Sequence, residues 1–199
     1  MSPVRTRTND PQAMRGRILD AAGDLFQAQG YGSTTTQQIA AAAGVTAGAM
    51  HHHFPTKKAL GLAVIRERVT AEVETAWLAP VREAASARAG IQAVFSTVQA
   101  WLDARGRVMG CPVSNLSLEL AYADPDFREE LRRIFDLWRR TLADRMRQDV
   151  AAGLESEPDP EGFATFVISA YSGAMAIAKA DQKSDALRRT ADRLAAWPR

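Results

Sequence analysis

The 199-residue chain has one cysteine, Cys111, no histidine outside His51, His52 and His53, and no long uninterrupted apolar run. Each scarcity removes a class of protein. A lone cysteine cannot build an internal disulfide framework and suits a reducing compartment. Three consecutive helical histidines point about 100° apart and cannot close on one ion. Neither an HExxH pattern nor a phosphate-cradling glycine loop is present. No metal and no cofactor are therefore expected. The remaining enzymatic reading, a helical bundle with Glu119 as base and Cys111 as nucleophile, has no third group to complete a site. No stretch approaches a membrane span, and the polar start lacks the apolar core of a signal peptide, so a soluble, cytoplasmic protein without a membrane partner is expected. Charge of one sign is scarce overall, at +2, but residues 1–58 hold six cations against three anions, leaving −1 for the rest.

What is present is helical periodicity, with no strand pattern. Gln12 to Gln29 places Ile18, Leu19, Ala22, Leu25 and Phe26 on one face and stops at Gly30. Further helices are predicted from Thr56 to about Trp77, from Ser86 to Ala104, from Pro112 onward, from Asp126 to about Ala152, from Phe163 to Ala180 and from Ala186 to Trp197. The expectation is an all-α protein of about nine helices. It divides into an arm at 1–11, a helix-turn-helix domain at 12–55 and a helical-bundle domain at 56–199. A solvated tail is the ordinary reading of the arm; a minor-groove arm is the alternative. On the long helix, Arg132, Arg133, Arg139, Arg140, Arg145 and Arg147 alternate with Glu129, Glu130, Asp136, Asp144 and Asp149. That spacing predicts a salt-bridged outer face rather than a DNA-binding stripe.

The most specific stretch is TTTQQIAAAAGVTAGAMHHHFPTKK, residues 34–58. Thr34 can cap a helix, with Gln37 three positions on completing a capping box. Gly44 can take the left-handed turn that ends it, letting Val45 drop inward. Thr46 caps a second helix of barely two turns, Ala47 to His52, whose small residues allow close approach to another surface. Phe54 faces the core, Pro55 breaks the chain and Thr56 caps the next helix. This is a helix-turn-helix whose second helix reads a DNA groove. Candidate DNA contacts are Thr35, Gln37, Gln38, Thr46, Ala47, Gly48, His51, His52 and Lys57. No arginine is available to hold guanine bidentately, so phosphate contact and DNA shape should carry much of the affinity.

The order GYGSTTTQQIAAAAGVTAGAMHHHFPTKKAL, within about Arg15 to Val64, resembles the N-terminal domain of the TetR family of bacterial repressors. His51 stands where that family usually has tyrosine, and its imidazole can donate to the same phosphate oxygen. Farther on, GCPVSNLSLEL is similar to a motif in one branch of the family. The resemblance implies a homodimer on a palindromic double-stranded DNA operator, with two reader helices about 34 to 36 Å apart. It also implies a C-terminal domain that holds a ligand pocket and the dimer interface, with a small-molecule effector releasing DNA.

Aromatic and sulfur side chains supply pocket candidates: Trp77, Phe95, Trp101, Met109, Cys111, Phe135, Trp138, Phe166, Tyr171 and Met175, beside polar Asn115 and Glu119. For any single one of them, ordinary core packing is the competing reading. No cationic cluster suggests an anionic effector. Phe163, Val167, Ala170, Ala174 and Ile177, with Leu187, Ala191 and Leu194, are the candidates for the dimer face. A thiol sensor of oxidants through Cys111, at a helix start that would lower its pKa, is the alternative mode of regulation.

Overall fold

The computed structural model describes residues 10–197, so most of the expected N-terminal arm lies outside the described residues. Eleven α-helices and no strand occur among them. Because α4 (Lys57–Val64), a π-helical stretch (Ile65–Val69), α5 (Thr70–Val73), a second π stretch (Glu74–Leu78) and α6 (Ala79–Glu83) run on without a loop, the described residues make nine rods. The helices separate into two compact units that divide between Arg68 and Val69.

The first unit holds α1 (Pro11–Gln29), α2 (Thr36–Ala43), α3 (Ala47–His53) and α4. Asp10 starts α1 by accepting from the amides of Gln12 (2.9 Å) and Ala13 (3.3 Å), with Pro11 in the first turn where its missing N–H costs nothing. Ile18, Leu19, Ala22 and Phe26 then meet Ile39, Ala43, Met50, Phe54, Leu60 and Val64 in one small core. α4 packs on α1 inside this unit, although the sequence reading drew its line at 55/56. Two ion pairs hold the unit's far end: Arg15 grips the Glu67 carboxylate with both terminal nitrogens, and Arg68 Nε donates to Asp20 at 2.6 Å. The Arg15 guanidinium holds the Glu67 carboxyl below its ordinary range.

The second unit contains α5, α6, α7 (Ala87–Arg105), α8 (Pro112–Leu120), α9 (Pro125–Ala151), α10 (Pro160–Asp181) and α11 (Asp185–Ala195). α9 and α10 repeat the opening of α1: Asp124-Pro125 and Asp159-Pro160 each put a carboxylate on the first free amides and a proline after it. Gly90 is dictated by packing, since a Cβ there would lie 2.7 Å from the Val81 Cα. On α9, most of the interleaved arginines and acids do pair along the outer face. Asp149 departs from that expectation. It is 1 % exposed, accepts from the Ala87 amide at 2.5 Å and pairs with Arg145, which donates to the Ala84 carbonyl at 2.8 Å. Its carboxylate caps the start of α7 from a helix distant in sequence.

α10 is long and apolar enough to cross a membrane by length and composition alone, which corrects the expectation that no segment approaches a span. Here it packs against α9 and α11.

Candidate functional site

In the first unit the reader element is built almost wholly from local sequence. The cap of α2 is Thr35, not Thr34: the Gln38 amide donates to Thr35 Oγ1 at 3.2 Å, and the Thr35 amide donates to Gln38 Oε1 at 2.8 Å. Thr34 is instead 1 % exposed, its hydroxyl donating to the Gly30 carbonyl at 2.7 Å. The capping box therefore sits one residue later than expected. It engages the Gln38 carbonyl oxygen; Gln37 is exposed, and its side-chain oxygen accepts from the Thr36 hydroxyl at 3.4 Å. Gly44 ends α2 in the left-handed region (φ 64°, ψ 38°), where a side chain would be strained. Thr46 caps α3 through the Ala49 amide at 3.1 Å.

Only Met50 of α3 is buried, on the core side; Ala47, Gly48, His51 and His52 are exposed. A Cβ on Gly48 would meet nothing within 4 Å. Glycine in a helix costs about 1 kcal/mol relative to alanine, and nothing within the chain requires it here. Beside this face lies a cleft of ≈ 290 Å³ lined by Thr36, Gln37, Ala47, His51, Thr56 and Lys57, with Met50, Phe54 and Pro55 as its floor. The cleft brings a lysine ammonium and an imidazole together with the Thr36 and Thr56 hydroxyls, which is a donor set for phosphate oxygens. Lys57 is pre-positioned, its Nζ 4.3 Å from the Tyr31 ring centroid and donating to the Gly32 carbonyl at 3.3 Å. His52 and His53 stand edge to face at 5.6 Å. Among the described residues no group of three or more His, Cys, Asp or Glu side chains is gathered for a metal ion.

In the second unit, five of the pocket candidates come together. Trp77 meets Trp138 at 4.8 Å between ring centroids, Tyr171 at 4.7 Å and Phe95 at 5.8 Å, all edge to face, and Phe135 stacks on Trp138 at 6.5 Å. Four separate stretches of chain supply these rings. Met175 and Cys111 are buried as well, and Cys111 lies close enough to Tyr171 for the two to interact electrostatically.

The other candidates do not join the cluster. Trp101 is 45 % exposed with the Arg105 guanidinium 4.1 Å from its ring, and Phe166 is 42 % exposed against Trp197. Glu119 is exposed, one turn beyond the half-buried Asn115 toward the end of α8. Asn115 staples the preceding loop, its amide donating to the Met109 carbonyl at 2.8 Å. Gln182, which the sequence reading passed over, closes the same loop by accepting from the Val108 amide and donating to its carbonyl.

Cys111 is the N-cap residue of α8, as expected, but burial raises its thiol pKa by more than the Ser114 and Val113 amides lower it. The helix start therefore does not make it a reactive thiolate.

The dimer-face candidates divide in two. Phe163, Val167, Ala174, Leu187 and Leu194 are buried within the subunit and face its own core. Ala191 is half-buried, and its backbone carbonyl accepts from Gln92 at 2.9 Å. Ala170 and Ile177 face outward with Phe166, Gly173 and Trp197, lining two adjoining surface grooves of ≈ 760 and ≈ 570 Å³ between α10 and α11.

Known proteins agree with both units. Residues 18–64 match the family model described as bacterial regulatory proteins of the tetR family, and residues 87–193 match the C-terminal domain of LmrA/YxaF-like transcriptional regulators. The chain is 27 % identical to the transcriptional repressor DhaR of a Mycobacterium species, covering 87 % of this chain and 86 % of that protein. It is 31 % identical to the transcriptional regulator CymR of Pseudomonas putida, covering 73 % of each. A crystal structure of a TetR transcriptional regulator from Chloroflexus aurantiacus superposes with a TM-score of 0.83 at 26 % identity, covering 94 % of both chains.

Proposed function

Since the chain belongs to the TetR family of DNA-binding transcriptional regulators, we propose that it is a homodimeric, cytoplasmic repressor of a palindromic operator, released by a small and mainly apolar effector. The open face of α3 carries this reading. Its residues are small and solvent-facing, its ends are capped by Thr46 and the turn at Phe54, and it adjoins a cleft of phosphate donors. Such a surface has no role in holding the subunit together and fits a groove closely. Ala47 is placed for a thymine methyl, Gln37 for a base edge or phosphate, and His51 and Lys57 for phosphates.

The second copy covers the outward face of α10 and α11. A surface helix exposing Phe166, Ile177 and Trp197 around small Ala170 and Gly173 suits a symmetric, closely packed helix pair. The effector enters the aromatic cluster around Trp77. Because Trp77 lies in the second π stretch of the rod that runs from α4 to α6, displacing its ring shifts that rod and with it the reader helices. Release of DNA then requires the effector to prefer the non-binding state, at about tenfold per 1.4 kcal/mol of preference.

The test is a mobility shift with DNA from upstream of the protein's own gene, comparing wild type with Ala47→Glu, followed by a compound panel scored for thermal stabilisation and for release of bound DNA. Equal retardation by both proteins would sink the assignment of α3 as reader.

A further inference from the structure

We infer that the aromatic cluster takes the effector's neutral hydrogen-bond acceptor, a carbonyl or ether oxygen, on the indole N–H groups of Trp138 and Trp77, and discriminates against carboxylates. This rests on the regulator reading above and assigns a ligand class to it.

Trp138 is 0 % exposed, and its Nε1 has no hydrogen-bond partner. Leaving a buried donor unmade costs about 1–3 kcal/mol, and the great majority of buried donors are satisfied. Trp77, 2 % exposed, is in the same position: its Nε1 lies toward the Tyr171 hydroxyl without reaching hydrogen-bond geometry. The two indoles are edge to face with centroids 4.8 Å apart, and the Tyr171 ring lies within 5.8 Å of both. Two unused donors thus share one apolar cluster. An acceptor atom brought in on an apolar ligand satisfies what the protein leaves open.

The charge of that acceptor follows from its surroundings. Burial keeps the Tyr171 phenol and the Cys111 thiol neutral. An anionic ligand would give up its water with only neutral donors in return. A ketone or ether loses little on desolvation and gains the two N–H groups.

Three probes of similar size separate the terms in the full-length protein: acetophenone, ethylbenzene and benzoate. Binding is read by thermal shift and by the indole 15N–1H resonances, with the Trp138 signal assigned by its loss in W138F. Acetophenone is expected to bind about tenfold more tightly than ethylbenzene, the equivalent of about 1.4 kcal/mol, and to move the Trp138 resonance downfield. W138F should remove most of that preference, read as the ratio of acetophenone to ethylbenzene affinity within each protein. Benzoate should bind most weakly. Benzoate binding as well as acetophenone, no preference for acetophenone over ethylbenzene, a preference that survives W138F, or a Trp138 resonance unmoved at millimolar acetophenone would each overturn the assignment. If W138F does not fold, W101F and W197F remove the two exposed indoles from the spectrum, and the two signals left, those of Trp77 and Trp138, decide. Acetophenone bound at Trp138 with operator DNA still held would leave this site standing and remove the effector-release reading. Release by a carboxylate would do the reverse.

Discussion

The two units place their functional surfaces on opposite sides of the packing problem. In the first, the residues assigned to DNA are those the core does not use: Met50 and Phe54 hold α3 down, and Ala47, Gly48, His51 and His52 face solvent. In the second, the residues assigned to the effector are the core itself, with Trp77 and Trp138 among the largest fully buried side chains. Surface function therefore separates from stability in the first unit and is bound up with it in the second. The local caps of the first unit also contrast with the tertiary cap that Asp149 supplies to α7 in the second.

The sharpest break of that contrast would come from the caps. Asp149→Ala leaves Arg145, whose side chain is 14 % exposed, without its partner and strips the Ala87 amide. Urea unfolding should register a loss of about 3–5 kcal/mol. Thr35→Ala removes a local cap in the first unit and should cost only about 1 kcal/mol. Equal losses would mean the two units are held by the same kind of interaction.

Ala47→Glu tests the separation of surface from core. It puts a carboxylate on the exposed face of α3, where like-charge contact with phosphate costs several kcal/mol, so operator affinity should fall by about a hundredfold or more. Thermal stability should change little, because Ala47 is exposed. Ile177→Asp does the same on the outward face of α10, where the residue is 54 % exposed. Sedimentation should then show dimer association weakened by about 2 kcal/mol, with the subunit still folded. A variant that unfolds instead would place Ile177 in the core.

Burial of Cys111 provides a contrast in reactivity. A free thiol ionises near pH 8.5, so in urea alkylation by iodoacetamide should rise steeply as the pH climbs through that value. In the folded protein the raised thiol pKa keeps the side chain protonated over the same window. Native Cys111 should therefore react slowly at pH values where the unfolded chain reacts fast. Matching rates in the two states would restore the thiol-sensor reading.

The same contrast explains what the sequence made legible. In the first unit, Thr46, Gly44 and Thr56 act on residues a few positions away, so their roles could be read directly. One slip was of register: Thr34 with Gln37 and Thr35 with Gln38 both satisfy the capping-box spacing, and the burial of Thr34 separates them. In the second unit the helices were legible but their facing was not. Along α10 the stripe Phe163, Val167, Ala174 and the stripe Phe166, Ala170, Ile177 are both apolar or small at helical spacing, so periodicity cannot say which turns inward. Asp149 looked like one more surface acid because its partner amide is 62 positions away. Trp101 and Trp138 are equally large, and only tertiary packing puts one at 45 % exposure and the other at 0 %.

The smallest effect is the most discriminating, because its two parts have opposite signs. Gly48 sits in a helix with open space where a Cβ would be. Replacing it with alanine relieves the backbone entropy cost of glycine and should stabilise the first unit by up to about 1 kcal/mol. If the glycine is present so that a DNA backbone or base edge can approach α3, the added methyl should weaken operator binding in the same protein. Gly90→Ala is the control, since there the new carbon would meet the Val81 backbone at 2.7 Å and should destabilise without touching the reader face. Gly48→Ala that is both more stable and equally tight on DNA would break the argument, because nothing inside the subunit or outside it would then account for a glycine at that position.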